Sequence, residues 1–153
     1  MIFLAADHAG FAHKEAVLAW LEAEGFAVTD YGAYTYDAAD DFPDHIVKAA
    51  HAVARNPEKD QAIIFGGSGQ GEAMLANRFP GVRATVLYSD DPEIVELSRE
   101  HNDANVLSIG ARFLTIDVTK RHVWDWLHHK PSKNKKYARR NQKLDGLSKN
   151  LHT

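Results

Sequence analysis

The feature that most constrains the fold is an alternation of short apolar runs with amphipathic segments. Runs of strand length stand at 2–6, 26–31, 61–65, 82–88 and 106–109. Helical patterns stand at about 10–24, 43–54, 74–79 (continuing a helix that a glycine-rich turn opens), 92–101, 115–128 and 132–147. Strands that alternate with helices predict a mostly parallel, five-stranded sheet in a Rossmann-like three-layer α/β/α sandwich, with the last helix appended.

Length and composition indicate one globular domain. The 153 residues suffice for a single domain spanning 1–153, with 130–150 as a basic C-terminal helix. The chain has no cysteine, which excludes disulfides and thiolate chemistry and agrees with a cytoplasmic location. The sequence contains no signal-like segment and no apolar run of bilayer length, so we expect no membrane partner.

Charge is distributed unevenly along the chain. Residues 128–153 carry eight Lys/Arg against one acid, whereas the other residues carry ten basic and twenty acidic side chains. Such a tail is compatible with binding nucleic acid, with supplying cations to an anionic small substrate, or with docking on an acidic surface.

A glycine-rich turn follows the third predicted strand, at 66–71, and Glu72 comes directly after it. Free backbone N–H groups at a helix start attract an oxyanion, and a neighbouring carboxylate could remove a proton from carbon, as in an enolising enzyme. A phosphate-binding P-loop would need Lys and Ser/Thr where Glu72 and Ala73 stand, and the dinucleotide pattern also fails. A plain strand-to-helix turn remains open on the glycines alone.

Other candidates follow strand ends, where ligands bind in such folds. Asp7 and His8 follow the first strand, although a helix N-cap and a surface histidine are the simpler interpretation. Arg112 follows the fifth strand and is suited to hold an anion. His101 closes a helix, where the dipole alone favours it. The histidines lack metal-site spacing, so we expect no metal and no cofactor.

In this order, the motifs resemble ribose-5-phosphate isomerase type B and its galactose-6-phosphate isomerase relatives. The resemblance runs from Met1 to about Leu147, and it rests on segments 6–10, 66–77, 99–102 and 110–112 with Arg139 and Lys143 in the tail. It implies a Rossmann-like fold, metal-free aldose–ketose isomerisation of phosphosugars, and a homodimer, or a tetramer, with shared active sites. The basic helix would then pack on the partner subunit.

The resemblance also implies residue roles. Glu72 would be the enolising base, because the cysteine that one branch of the family uses is replaced by Gly66. His101 and Asp7 would open the sugar ring. Lys143 stands where an arginine is usual, which removes a bidentate contact to phosphate. The remaining implied contacts are Ser68, Gly67, Gly69, Gln70 and Gly71 at the anion hole, Asn102 on the substrate, and His8, Arg112, Arg139 and Lys143 at the phosphate.

The expected function is therefore isomerisation of ribose 5-phosphate to ribulose 5-phosphate through a cis-enediolate, within pentose phosphate metabolism. An alternative is the same chemistry on allose, galactose or erythrose phosphate. A remote alternative is a non-catalytic module that binds nucleic acid through the basic tail, although Tyr137 is the tail's single aromatic residue. We expect a phosphosugar as the ligand and no nucleic acid.

Overall fold

The computed structural model describes residues 1–150, with side chains to residue 148. Within them the strands and helices alternate as expected. The strands are β1 Ile2–Ala6, β2 Val28–Asp30, β3 Gln61–Gly66, β4 Ala84–Leu87 and β5 Val106–Gly110. The helices are α1 Phe11–Ala23, α2 Phe42–Arg55, α3 Gln70–Ala76, α4 Pro92–Glu100, α5 Ile116–His128 and α6 Lys135–Asn150.

The five strands form one sheet in the order β2-β1-β3-β5-β4, and all four neighbouring pairs are parallel. The predicted fold class is confirmed. Since the strands are parallel, their carboxyl ends meet at one edge, where Ala6 pairs with Phe65 and Gly66 with Gly110. Ligands of doubly wound sheets bind at this edge.

The core lies on both faces of the sheet, as a parallel sheet requires. Successive residues of β1 point to opposite faces, so Leu4 joins a cluster with α1, α4 and α5, including the fully buried Trp126. Phe3 and Ala5 join a second cluster with α2 and α3. The sheet is therefore a rigid platform for the loops that leave its carboxyl edge.

Several predicted boundaries differ from the structure, and the largest differences are at β2, α3, β4 and α6: α3 ends at Ala76 rather than at 79, and β4 covers Ala84–Leu87 rather than 82–88. β2 has three residues because it pairs only with β1, while Phe26 packs its ring 6.2 Å from those of Trp124 and His128 instead of joining the strand. The last helix begins at Lys135 and extends to Asn150, rather than covering 132–147.

α6 is fastened to the body near the amino edge of the sheet. The buried Arg83, directly before β4, donates to both carboxylate oxygens of Asp145 at 2.9 and 3.2 Å. Asn141 Nδ2 donates to the carbonyl of His101 at 3.1 Å. Across residues 1–150, no helix combines the length and apolar character that crossing a bilayer requires.

Candidate active site

A cleft of about 310 Å³ lies at the carboxyl edge of the sheet. The ends of β1, β3 and β5 contribute its walls, as the strand-end rule predicts. It brings together seven of the predicted site residues and two further ones, Ala9 and Phe42. Its lining is Asp7, His8, Ala9, Phe42, Gly67, Ser68, Gly71, Glu72 and Arg112.

The glycine-rich loop lies tightly against β5. Gly69 has a φ of 77°, in the region that favours glycine, and a Cβ there would lie 3.0 Å from the carbonyl carbon of Ile109. Ser108 Oγ donates to the Gly69 carbonyl at 2.5 Å. Within residues 1–150, the backbone N–H groups of Gly67, Ser68 and Gly71 donate to no backbone carbonyl. The loop therefore presents free backbone donors next to the cleft.

Glu72 places a buried carboxylate beside this loop. Its residue is 5% exposed, and its carboxylate occupies the space that a Cβ on Gly66 would need. Burial raises the pKa of Glu72, the hydrogen bond from its own backbone N–H opposes this, and the charge of Asp7 raises it further. Both features suit a carboxylate that accepts a proton near neutral pH.

Asp7 lines the cleft and is not the N-cap of α1 that the simpler interpretation predicts, because that position is occupied by Gly10. Its Oδ1 accepts from the N–H groups of Ala9 and Gly10 at 3.0 and 3.1 Å, which holds the turn that precedes α1. The residue is buried, so its carboxylate adds negative charge close to Glu72.

His8 is held by a residue that the sequence did not single out. Asp40, from the loop before α2, accepts from the backbone N–H of His8 at 3.0 Å and lies 2.7 Å from its Nδ1. The hydrogen bond to Asp40 raises the pKa of His8, burial opposes it, the charge of Asp7 adds to it, and Arg112 lowers it. The net effect favours the imidazolium, which suits an anion ligand.

Arg112 and Ser68 complete the polar wall, and Phe42 forms an apolar one. A Cβ on Gly67 would lie 3.0 Å from Arg112 Nη1, so the guanidinium covers the loop, and Arg112 makes no ion pair among the described residues. Ser68 Oγ accepts from Gln70 N–H at 3.3 Å, which leaves its hydroxyl proton free to donate. The Phe42 ring lies against Gly71.

Six predicted site residues do not line this cleft. Gly69 is buried beneath the loop, and the side chain of Gln70 is exposed. His101 and Asn102 lie near the opposite edge, because α4 returns there and Arg83 binds the carbonyl of Asn102 at 2.9 Å. β5 separates the two edges, and its five residues span about 15 Å. Arg139 and Lys143 lie on α6, which contacts this opposite edge.

His101 instead belongs to a second group of polar residues. Its ring stacks on Tyr137 with centroids 4.1 Å apart and planes at 18°. Lys136 Nζ lies 4.7 Å from the centroid of the same tyrosine ring, and sequence reasoning missed this lysine. On a helix of 3.6 residues per turn, Arg139 lies about 200° around the axis from Tyr137, so it points away from His101.

The described residues contain two groups with spacing that a metal ion could use. Asp7, His8 and Asp40 bring donor atoms within 4.8 Å of one another. The contact between His8 and Asp40 and the hydrogen bonds from backbone N–H groups to Asp7 account for that closeness. Glu96, Glu100 and His129 form the other group, on the surface of α4 and the end of α5.

Fold and cleft together define a doubly wound α/β protein with a buried carboxylate that lies in one cleft with free backbone donors and the side chains of His8 and Arg112. The family model described as Ribose/Galactose Isomerase matches residues 2–144, and the chain belongs to this family. The predicted resemblance is confirmed.

Individual relatives agree with this assignment. The chain is 41% identical to ribose-5-phosphate isomerase B of Mycolicibacterium paratuberculosis over 115 residues, which are 75% of this chain and 70% of that protein. The crystal structure of ribose-5-phosphate isomerase B from Mycoplasma genitalium with bound ribulose-5-phosphate is similar with a TM-score of 0.92 and 34% identity, covering 97% of this chain and 95% of that one. The structure of the Clostridium thermocellum ribose-5-phosphate isomerase B is similar with a TM-score of 0.90 and 31% identity, covering 98% of this chain and 98% of that one.

Proposed function

We propose that this protein isomerises ribose 5-phosphate to ribulose 5-phosphate, as a cytoplasmic enzyme of pentose phosphate metabolism. The observation that carries the proposal is the Glu72 carboxylate, buried beside free backbone donors of the 66–71 loop. The names of the similar proteins, and the ribulose-5-phosphate bound to the Mycoplasma genitalium enzyme, support the choice of substrate.

The reaction moves one proton between two carbons. Once the ring has opened, Glu72 removes the proton on C2 of the aldehyde form, and the electrons of that C–H bond form the C1–C2 double bond. The carbonyl oxygen at C1 becomes the oxyanion of a cis-enediolate. The protonated Glu72 then returns the proton to C1, while the proton of the C2 hydroxyl passes to the C1 oxyanion, so that C1 carries a hydroxyl and C2 becomes the ketone.

The loop donors lower the barrier for this step. Backbone N–H groups of Gly67 and Gly71, with the Ser68 hydroxyl, are fixed before the substrate arrives, so they stabilise the developing oxyanion without reorganising. One such donor is worth about 3 kcal/mol of barrier. The free N–H groups favour an oxyanion-binding role for the loop over the alternative of a purely structural strand-to-helix turn.

His8 and Arg112 bind the phosphate in this proposal. Both line the cleft, and they follow β1 and β5, the two strands that flank β3. A phosphate that contacts them would anchor the sugar, and its binding energy would position C2 next to the carboxylate. Asp7, whose Oδ1 is occupied by backbone N–H groups, offers Oδ2 to a sugar hydroxyl.

We propose that a second copy of the chain completes the site with His101 and Asn102. Within one chain these residues stand about 15 Å away, across the length of β5, so they cannot reach a sugar at Glu72. A two-fold dimer would bring the amino edge of one subunit to the cleft of its partner, forming two identical sites. Residues 130–150 contact His101 within their own subunit, so in such a dimer this helix would pack on the partner subunit next to the partner's cleft.

Two pairs of cations on α6 could then reach the phosphate. Arg139 and Lys143, which the resemblance implies at the phosphate, are four residues apart and therefore neighbours on the helix surface. Lys136 and Arg140 have the same spacing, and Lys136 lies against the ring that stacks on His101. Because a partner's His101 would meet the sugar, the pair nearest that histidine has the better position for the substrate.

A panel assay tests the substrate. Purified protein is assayed for aldose–ketose isomerisation of ribose, allose, galactose and erythrose phosphates, and we expect the highest kcat/KM for ribose 5-phosphate. A higher value for a six- or four-carbon substrate would assign the same chemistry to that sugar. No isomerisation, combined with salt-dependent binding of generic DNA or RNA, would instead favour the nucleic-acid alternative.

Mixed dimers test the shared site. In the proposed shared site, Glu72 comes from one subunit and His101 from the other, so Glu72→Gln and His101→Asn damage different halves of each site. In a co-refolded equal mixture, half of the dimers contain one intact site, and we expect about a quarter of wild-type activity. The matched control mixes Glu72→Gln with Asp7→Asn, which fall in the same half and should recover nothing. Equal recovery in both mixtures, or none in the first, would contradict the shared site.

A further inference from the structure

Asp40 holds His8 through two separate contacts. Its Oδ1 accepts the backbone N–H of His8 at 3.0 Å and lies 2.7 Å from the ring Nδ1. The two residues are 32 positions apart, so this arrangement requires the 32–41 loop to fold back over the end of β1. The Asp40 side chain is 11% exposed, and such a carboxylate needs partners to remain charged.

His45 is a second histidine neighbour of Asp40. His45 Nε2 lies 3.2 Å from Asp40 Oδ2, yet Oδ2 accepts no aligned hydrogen bond within the described residues. Burial raises the pKa of Asp40, but the hydrogen bonds from the backbone and ring of His8 and the charge of His45 lower it overall. The carboxylate therefore stays ionised while it faces His8.

We propose that Asp40 is a positioning residue that fixes His8 as a cationic ligand for the substrate phosphate. The proposal rests on the isomerase function proposed above. A carboxylate only accepts, so Nδ1 carries its proton toward Asp40, and Nε2 is left for the cleft. Asp40 thereby sets both the orientation and the charge of the imidazole without touching the substrate.

Other charges around His8 act on the same group. Asp7 favours the imidazolium and Arg112 opposes it, so Asp40 supplies the largest favourable contribution to the raised pKa of His8. Without the Asp40 charge, the imidazole would lose its proton at a lower pH. Phosphate affinity would then fall at alkaline pH, where the isolated ring is neutral. The charged or titratable neighbours that face His8, directly or through Asp40, are Asp7, Tyr36, Asp40, His45, Glu72 and Arg112.

The test uses Asp40→Asn, which keeps the shape and one acceptor but removes the charge. We expect KM for ribose 5-phosphate to rise about tenfold at pH 8, as for the loss of a charge-assisted hydrogen bond, with kcat within about twofold. The alkaline decline of kcat/KM should begin at a lower pH than in wild type. Asp37→Asn is the matched control, since this exposed carboxylate of the same loop accepts, within the part of the chain that the structure describes, a side-chain hydrogen bond from Ala39 N–H alone.

A second measurement needs no turnover. The pKa of His8 is determined by NMR titration, with His8→Gln identifying its signals, in the presence and absence of inorganic phosphate. We expect Asp40→Asn to lower the His8 pKa and weaken phosphate binding above pH 7, whereas Asp37→Asn matches wild type. An unchanged His8 pKa, or unchanged phosphate affinity and KM across the pH range, would overturn the proposal. If wild type isomerises no phosphosugar, the proposed function fails, and this titration still decides the role of Asp40.

Discussion

Replacing Glu72 with glutamine removes the proposed base while keeping its shape and volume. The carboxylate is buried, and it occupies space that is open because Gly66 has no side chain. Bulk water cannot readily take over as the base at a site that is 5% exposed. A positioned general base contributes about 100- to 10,000-fold, and we expect Glu72→Gln to fall in the upper half of that range. This corresponds to about 4 to 5 kcal/mol of barrier at 1.36 kcal/mol per tenfold.

The assay is steady-state formation of ribulose 5-phosphate at pH 7.5. KM should stay within about threefold, because the phosphate contacts of His8 and Arg112 are retained. Glu22→Gln, an exposed glutamate on α1, is the matched control and should behave as wild type. A kcat for Glu72→Gln within tenfold of wild type would refute the assignment of the base.

Stability provides an independent check on the same substitution. Because burial raises the pKa of Glu72 in the folded state, the folded protein binds more protons than the unfolded chain between the two pKa values. The free energy of unfolding therefore falls as pH rises through that interval. Glu72→Gln removes this penalty, so its Tm should exceed that of wild type at pH 7.5, and the difference should shrink below the ordinary glutamate pKa of about 4.3. A lower Tm at pH 7.5 would contradict the burial argument.

Three further predictions concern neighbouring positions. Arg112→Ala should raise KM for ribose 5-phosphate about tenfold in steady-state kinetics with kcat nearly unchanged, and an unaltered KM would remove this guanidinium from the phosphate site. Arg140→Ala should raise KM more than Arg139→Ala, and the reverse order would assign the phosphate contact to the pair Arg139 and Lys143. Gly66→Ala should lower kcat at least tenfold, because its Cβ overlaps the Glu72 carboxylate, while circular dichroism reports an intact fold; normal turnover would contradict the overlap.

The conflict at Gly66 also explains a departure noted in the sequence. The resemblance implies a cysteine base at this position in one branch of the family and a glutamate base at position 72 in the other. Since a Cβ on Gly66 would overlap the carboxylate of Glu72, the two bases compete for the same space. A glycine at 66 and a glutamate at 72 therefore belong together for a steric reason.

Local patterns predicted the sheet and the parts of the site that follow strands. The runs at 2–6 and 61–65 match β1 and β3 almost residue for residue, because fully buried strands are uniformly apolar. Arg112 comes two residues after β5, and Glu72 follows the glycine-rich turn that leaves β3, so both were expected at this edge. β2 was predicted too long, since pairing with one neighbour, rather than apolar content, decides where an edge strand ends.

Contacts between distant segments were not predictable in this way. Asp40 looks like any loop carboxylate, and its contact with His8 depends on how the 32–41 loop folds over β1. Arg83 likewise carries no local signal for the α6 contact it makes through Asp145. The separation of His101 from Glu72 could have been predicted from the sequence, because His101 follows a helix rather than a strand and therefore belongs to the amino edge.

The loss of the C2 proton of ribose 5-phosphate in D2O is the measurement that tests the central claim most directly. The protein is incubated with the substrate in D2O, and the C2 proton signal is followed by NMR for wild type and Glu72→Gln at equal concentration. If Glu72 is the group that removes this proton, wild type exchanges or transfers it during turnover, and Glu72→Gln leaves it in place over the same period. Loss of the C2 proton at the wild-type rate in Glu72→Gln would contradict the account.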